Sequence, residues 1–287
     1  MKQQIILQSY ECGLGAGDAG TRDGPQAIAQ HLGANISEAE RFHPSMDLQG
    51  LDAIPILAEI NTSLAQHTEA LTLANRRFIT LGGDHSCAIG TWSGVASALQ
   101  RRKEHLGLIW FDAHMDSHTP ATTPSNNIHG MPLACLLGEG DLLLTRILSA
   151  NPKVQPANLC LIGVRSFESE EQALLERLKV RVFTMQDIEQ RGLEAILQEA
   201  LAIATAETTG FGISFDLDAL DPNDAPGVGS PAPDGLRGAP LLKALKSWQN
   251  HPQLIGLEIA EYNPSLDIDN RTQLFAVNLI NTIFGLE

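Results

Sequence analysis

The chain is poor in basic residues: 287 residues carry 19 Lys+Arg against 34 Asp+Glu, a formal net charge of −15. Such a surface repels phosphate backbones and no basic stripe offsets it, so neither nucleic acid nor anionic membrane is an expected partner. Long apolar runs are missing as well, none approaching the ~18–20 residues needed to cross a bilayer. The opening segment from Met1 to Gln8 has too short an apolar core for a signal peptide and reads as a first strand, so a cytoplasmic protein is expected. Cysteine is scarce and scattered (Cys12, Cys87, Cys135, Cys160), with no C-x-x-C pair. That excludes a disulfide framework in a chain able to build its own core, and the four read as small buried apolar residues. Cys87 lies two residues after His85, but a thiolate lacking a partner cysteine is a weak basis for a metal site. No low-complexity tract, internal repeat, charge block or flexible linker divides the sequence, so 1–287 reads as one domain.

What the chain does have is short β-branched or aromatic runs alternating with longer helical patterns. Strands are predicted at 4–8, 77–81, 107–111, 159–164, 180–183, 211–215 and 254–259, each apolar on consecutive positions as strands buried on both faces should be. Helical patterns cover stretches such as 51–74, 88–101, 170–178, 193–206 and 239–248, the last with Pro240 suited to a first turn. The alternation predicts an α/β fold with a mostly parallel sheet between helices. Two loops break the rhythm. One, 116–127, is rich in Ser, Thr, Pro and Asn. The other, 221–238, contains Pro222, Pro226, Pro231, Pro233 and several glycines. Both leave the C-terminal end of a predicted strand, the edge where open α/β sheets bind ligands.

Three strand ends carry the chemistry. If the strand ending at Phe111 stays extended, Asp112, His114 and Asp116 share one face by the two-residue period. Asp216 and Asp218 do the same after Ser214-Phe215, and Gly82-Gly83-Asp84-His85 sets a histidine just past an apolar strand. Any one piece is readily a turn or cap, as Asp84 and Asp221 are read here. Together, aligned carboxylates would repel one another unless a cation sits among them. His85, His114, Asp112, Asp116, Asp216 and Asp218 are too many ligands for one tetrahedral zinc, and two imidazoles count against calcium. A pair of Mn²⁺-like ions suits the set and balances its four negative charges, although affinity order leaves other divalent transition metals open.

These segments resemble the three metal-binding signatures of the ureohydrolase (arginase/agmatinase/formiminoglutamase) superfamily, in family order and spacing, over nearly the whole chain. The resemblance implies a three-layer αβα fold around a mostly parallel eight-stranded sheet, and two Mn²⁺ per chain. It also implies cleavage of a small guanidino compound to urea and an amine by a metal-bridging hydroxide. One ion would be held by His85, Asp112, Asp116 and Asp216, the other by Asp112, His114, Asp216 and Asp218, with Asp116 also orienting the hydroxide. The loop Thr123–Gly130 looks like that of arginases, which points to L-arginine. By this likeness Ser125 and Asn127 meet the α-carboxylate, Glu168 the α-amino group and Glu261 the guanidinium, while His129 relays a proton. Ser230 and His118 complete the implied substrate shell. A homo-oligomer, trimer or hexamer, is implied too.

The chain departs from the family pattern around the substrate. His118 stands where arginases usually have Asn, Asn126 replaces a glycine, Glu168 is one methylene longer than the usual aspartate, and Ser166 replaces another aspartate. Asn tolerates positive φ, so Asn126 is expected to keep its loop. The stretch 234–238 is a degraded form of a family motif. The alternatives are another guanidino- or amidino-acid hydrolase (agmatinase, guanidinobutyrase or formiminoglutamase type), a non-catalytic family member, or a single-zinc deacetylase, which the second His/Asp set disfavours.

Overall fold

The computed structural model describes residues 4–286; Met1–Gln3 of the expected first strand lie outside the described residues. Among these residues eight strands form one sheet: β1 (Ile5–Tyr10), β2 (Ile36–Phe42), β3 (Phe78–Gly82), β4 (Leu106–Phe111), β5 (Leu159–Val164), β6 (Arg181–Thr184), β7 (Gly210–Asp216) and β8 (Leu254–Ala260). All neighbouring pairs are parallel, in the order β2-β1-β3-β8-β7-β4-β5-β6. Parallel strands need crossovers. The helices supplying them are α1 (Gly24–Ala29), α2 (Ile54–Leu73), α3 (Cys87–Gln100), α4 (Pro132–Leu136), α5 (Leu142–Thr145), α6 (Ser169–Leu178), α7 (Met185–Arg191), α8 (Leu193–Thr205), α9 (Gly238–Leu245) and α10 (Arg271–Phe284).

Side-chain alternation sends the inner strands into two cores. Ile109 and Phe111 of β4 join Ile213 and Phe215 of β7 under α8, α9 and α10. Leu106, Leu108 and Trp110 point the other way and pack with Trp92, Val95 and Leu99 of α3. Strands buried on both faces must be apolar throughout, the pattern that made them legible. A Cβ at Gly107 would lie 1.8 Å from the Ala204 carbonyl oxygen, so glycine there lets α8 rest directly on β4.

The eighth strand, β2, is absent from the sequence-based set. Its residues ISEAERF are largely exposed and only Phe42 is buried, because β2 lies at the sheet edge and pairs with β1 alone. With so little apolar surface to hide, it carries no hydrophobic signature. The expected helix over 51–74 begins as a 3₁₀ turn, Gly50–Ala53, before α2, and 239–248 likewise ends in a 3₁₀ turn, Lys246–Trp248. No helix among the described residues is long and apolar enough to cross a membrane.

Candidate active site

The order of the strands determines what meets. β3, β8, β7 and β4 are consecutive in the sheet, so residues that follow them at 83–86, 112–118, 216–221 and 261 share one edge although they span most of the chain. The expectation that strands stay extended through these residues does not hold. β4 stops at Phe111, Asp116 takes a left-handed conformation (φ +46°), and Leu217–Ala219 form a 3₁₀ turn. The cause is common to all three segments: an aspartate carboxylate accepts the backbone N–H two residues on. Asp84 accepts from Ser86 at 2.9 Å, Asp112 from His114 at 2.7 Å and Asp216 from Asp218 at 2.8 Å. This local bond competes with extension and turns the chain. The turn-former reading and the ligand reading of Asp112 and Asp216 therefore coexist.

Two clusters result. In the first, His85 Nδ1 lies 3.4 Å from Asp112 Oδ2, 3.0 Å from Asp116 Oδ2 and 3.1 Å from Asp216 Oδ2, all buried. In the second, His114 Nδ1 lies 3.0 Å from Asp218 Oδ2 and 3.5 Å from Asp112 Oδ1. Asp112 belongs to both; Asp216 joins only the first, its Oδ1 accepting from Asp218 N–H.

The donor set fits divalent cations. His85 Nδ1 and Asp116 Oδ2 are buried without a hydrogen-bond partner, although they stand 3.0 Å apart. The far nitrogen, His85 Nε2, meets Ser214 Oγ at 3.0 Å, and that hydroxyl donates to Glu258 Oε2 at 2.7 Å. Ser214 must then accept from His85 Nε2–H, so that in the neutral imidazole Nδ1 carries the lone pair, aimed at three carboxylates. Burial pushes the Asp116 carboxyl up to about 7 with the Asp112 charge adding, and drives Asp216 well above the usual range, with Asp218 and Asp112 adding. Lone pairs crowded in this way are stabilised by a positive ion between them.

Supporting contacts missed by sequence reasoning explain the precision. Trp110 Nε1 donates to Asp112 Oδ2 at 2.8 Å, and its ring stacks on His85 with centroids 4.3 Å apart. Glu258, fully buried, also accepts from Trp92 Nε1 at 3.0 Å and from the Cys87 thiol at 3.2 Å. Cys87 therefore faces Glu258 and belongs to neither cluster; all four cysteines are free and buried. Arg165 threads the 221–238 loop. Its guanidinium donates to the carbonyls of Gly163, Asp218, Ala219, Leu220, Ala232 and Pro233 at 2.8–3.1 Å. A lone polar residue in an apolar strand end was the only available signal for these roles. Asp84, read as a loop residue, is one: it is buried and also accepts from Gly15 N–H at 2.8 Å. Asp221 likewise braces its turn through Asn223 N–H at 3.0 Å.

Beside the clusters, His129 Nδ1 lies 3.0 Å from Glu261 Oε1, which also accepts the His85 backbone N–H at 2.7 Å. Burial works against charge on His129, but Glu261 prevails and the imidazole is pushed up to about 9. Glu261 is itself in the left-handed region (φ +68°), a strained conformation of the kind concentrated at functional sites. His114, Asp116, Asp216 and Asp218 line a cavity of about 250 Å³ together with His118, Ser125, Asn127, His129, Glu168 and Ser230. Every expected substrate residue except Glu261 thus faces one cavity, and Glu261 stands behind His129. Asn126 has φ +62°, as its substitution for glycine led us to expect.

A sheet carrying two adjoining His/Asp clusters at its C-terminal edge defines an α/β protein built to hold a pair of cations. The Arginase family model matches residues 3–285, and the chain belongs to that family. The arginase of Bacillus caldovelox is 40% identical over 87% of this chain and 82% of its own length. The arginase of Brevibacillus brevis is 36% identical over 99% of each. The native structure of the Bacillus caldovelox arginase superposes with a TM-score of 0.90, at 35% identity, covering 100% of this chain and 99% of that one.

Proposed function

We propose that this protein is a hydrolase that cleaves the guanidinium group of L-arginine to urea and L-ornithine. The observation carrying the proposal is the pair of His/Asp clusters sharing Asp112, which reach one cavity through His114, Asp116, Asp216 and Asp218 beside His129, itself paired with Glu261. His85, Asp112, Asp116 and Asp216 would hold one divalent ion and Asp112, His114 and Asp218, with Asp216 reorienting, the other; we take both to be Mn²⁺. Bound there, the ions would activate water for attack at neutral pH. Asp116 orients the attacking water and Glu261 offers its second oxygen to the guanidinium, whose charge needs a carboxylate partner. Water adds to the guanidinium carbon, the bond to the δ-nitrogen breaks, and His129 delivers the proton that the leaving amine requires. Ser125, Asn127, Ser230, His118 and Glu168 form the outer wall around the amino-acid end of the substrate.

The proposal extends to one catalytic domain over 1–287, a cytoplasmic location and a homo-oligomer of three or six copies, which light scattering would size. The test of activity is urea release from Mn²⁺-loaded protein offered L-arginine, agmatine and guanidinobutyrate. Turnover of L-arginine well above the others supports the reading; no urea from any substrate sinks it. The second reading, a different guanidino-substrate hydrolase, is favoured by the His118–Glu168 contact at the cavity mouth.

A further inference from the structure

His118 lines the cavity, yet its ring is engaged by the protein at both nitrogens. Nε2 lies 3.1 Å from Glu168 Oε2 and Nδ1 lies 3.1 Å from Thr122 Oγ1, whose oxygen is anchored by the Thr119 backbone N–H at 2.9 Å. A single proton on Nε2 satisfies the whole chain: the Thr122 hydroxyl donates to Nδ1 and Nε2–H donates to the carboxylate. The side chain of His118 is only 8% exposed, whereas that of Glu168 is 55% exposed. Glu171 fixes the two backbones relative to each other, accepting from Ser117 N–H at 3.0 Å and from Glu168 N–H at 3.1 Å. A glutamate at a helix start ordinarily samples several rotamers, so such a hold removes entropy that binding would otherwise have to remove. Glu171 has both oxygens committed to backbone donors, so the His118–Glu168–Glu171 group reads as a clamp and not as a third cation site.

Among the described residues, no lysine or arginine lines the cavity; away from His129, its wall offers the carboxylates of Glu168 and Glu171 and the neutral groups of Ser125, Asn127 and Ser230. We propose that His118 is a positioning residue that presents Glu168 to the substrate's amino group. This rests on the L-arginine reading above, and adds which side chain orders the part of the wall that faces the substrate's amino group.

The experiment uses Mn²⁺-loaded full-length protein and chain-matched substrates. L-Arginine carries both groups, agmatine lacks the carboxylate, and 5-guanidinopentanoate lacks the amine. His118→Leu is expected to raise KM for L-arginine and agmatine together by roughly tenfold, the loss of one ordered charge-assisted contact, with kcat moving less than about twofold. KM for 5-guanidinopentanoate should not rise, and His118→Gln, whose amide can still donate to Glu168, should recover most of the loss. A rise for L-arginine and 5-guanidinopentanoate that spares agmatine would make His118 a carboxylate contact and overturn the proposal. So would unchanged KM values throughout, or a fall in kcat with all substrates. If the wild-type protein releases no urea, the activity reading fails separately, and calorimetry with L-ornithine, 1,4-diaminobutane and 5-aminopentanoate decides this one. The two amines should bind the wild type and weaken together in His118→Leu; failure of the wild type to bind either would overturn it. Metal content and melting temperature of each variant, both expected unchanged, separate misfolding from misplacement.

Discussion

The two cation clusters share Asp112 but are supported differently. Around His85 the support is side chain upon side chain: Trp110 stacks on the ring and bonds Asp112, while Ser214 and Glu258 hold the far nitrogen, and none of the His85 side chain is exposed. Around His114, which is 27% exposed, the support is backbone, gathered by the single guanidinium of Arg165 through the carbonyls of Asp218, Ala219 and Leu220. One cluster is set like a core and the other like the wall of a cleft. The open cluster is where a ligand can arrive, and an ion held there is expected to exchange before one held in the closed cluster.

Removing what the clusters share should erase the difference. Asp112→Ala is expected to lose both ions and to cut urea release by roughly 10³-fold or more, since neither cluster keeps its bridge. Metal analysis beside the activity assay checks this, and retention of full urea release in metal-depleted buffer would end the two-cluster reading. Next in size is His129, the proposed proton donor, which lines the cavity beside both clusters. His129→Gln should cost about 10²–10⁴ in kcat, as loss of a general acid does. Because Glu261 holds the imidazole up to about 9, the proton is present below that pH and lost above it, so the wild-type rate should fall on the alkaline side through about 9. Glu261→Gln removes the carboxylate that holds the imidazole charged, and the alkaline limb should move down toward the ordinary 6.5. A limb that stays in place would assign it to another group.

The remaining two tests act on one cluster each. Arg165→Met strands several carbonyls around Asp218 and should cost roughly 3 kcal/mol of stability, seen as a melting temperature lower by about 5 °C. The second ion should weaken first. Ser214→Ala acts on the other side: it frees His85 Nε2 and should lower affinity for the first ion about tenfold. With chelator, the wild type should release its ions in a fast and a slow phase, and Ser214→Ala should speed only the slow one. Equal acceleration of both phases would mean that the clusters are not independently supported.

The same contrast explains what could be read from the sequence. The six candidate ligands stood out because carboxylate and imidazole at three apolar strand ends are chemically conspicuous, and six of the strands because burial on both faces forces unbroken apolar runs, whereas the edge strand β6 showed only through Val182 and Phe183. The path that joins the ligands was not legible. Asp116 at φ +46° and the turn after Asp216 arise from side-chain bonds to the backbone that no two-residue period anticipates. Ser214, Glu258, Glu171 and Arg165 escaped for a related reason: a polar residue that acts through another leaves no pattern until its partner is in place. The strand β2 escaped because an exposed edge has no core to advertise.

The sheet order has a consequence for how the molecule is made. Strands β1 to β3 form one flank and β4 to β6 the other, while the two strands that join them, β7 and β8, come last in the chain. During synthesis the first 209 residues therefore hold two partial sheets whose apolar inner edges face no neighbour. Contacts between the flanks wait for sequence separations above a hundred residues, which slows closure. His85 and Asp112 meet only after Leu254–Ala260 emerges, so nascent chains truncated ahead of that strand should be both metal-free and dependent on chaperones.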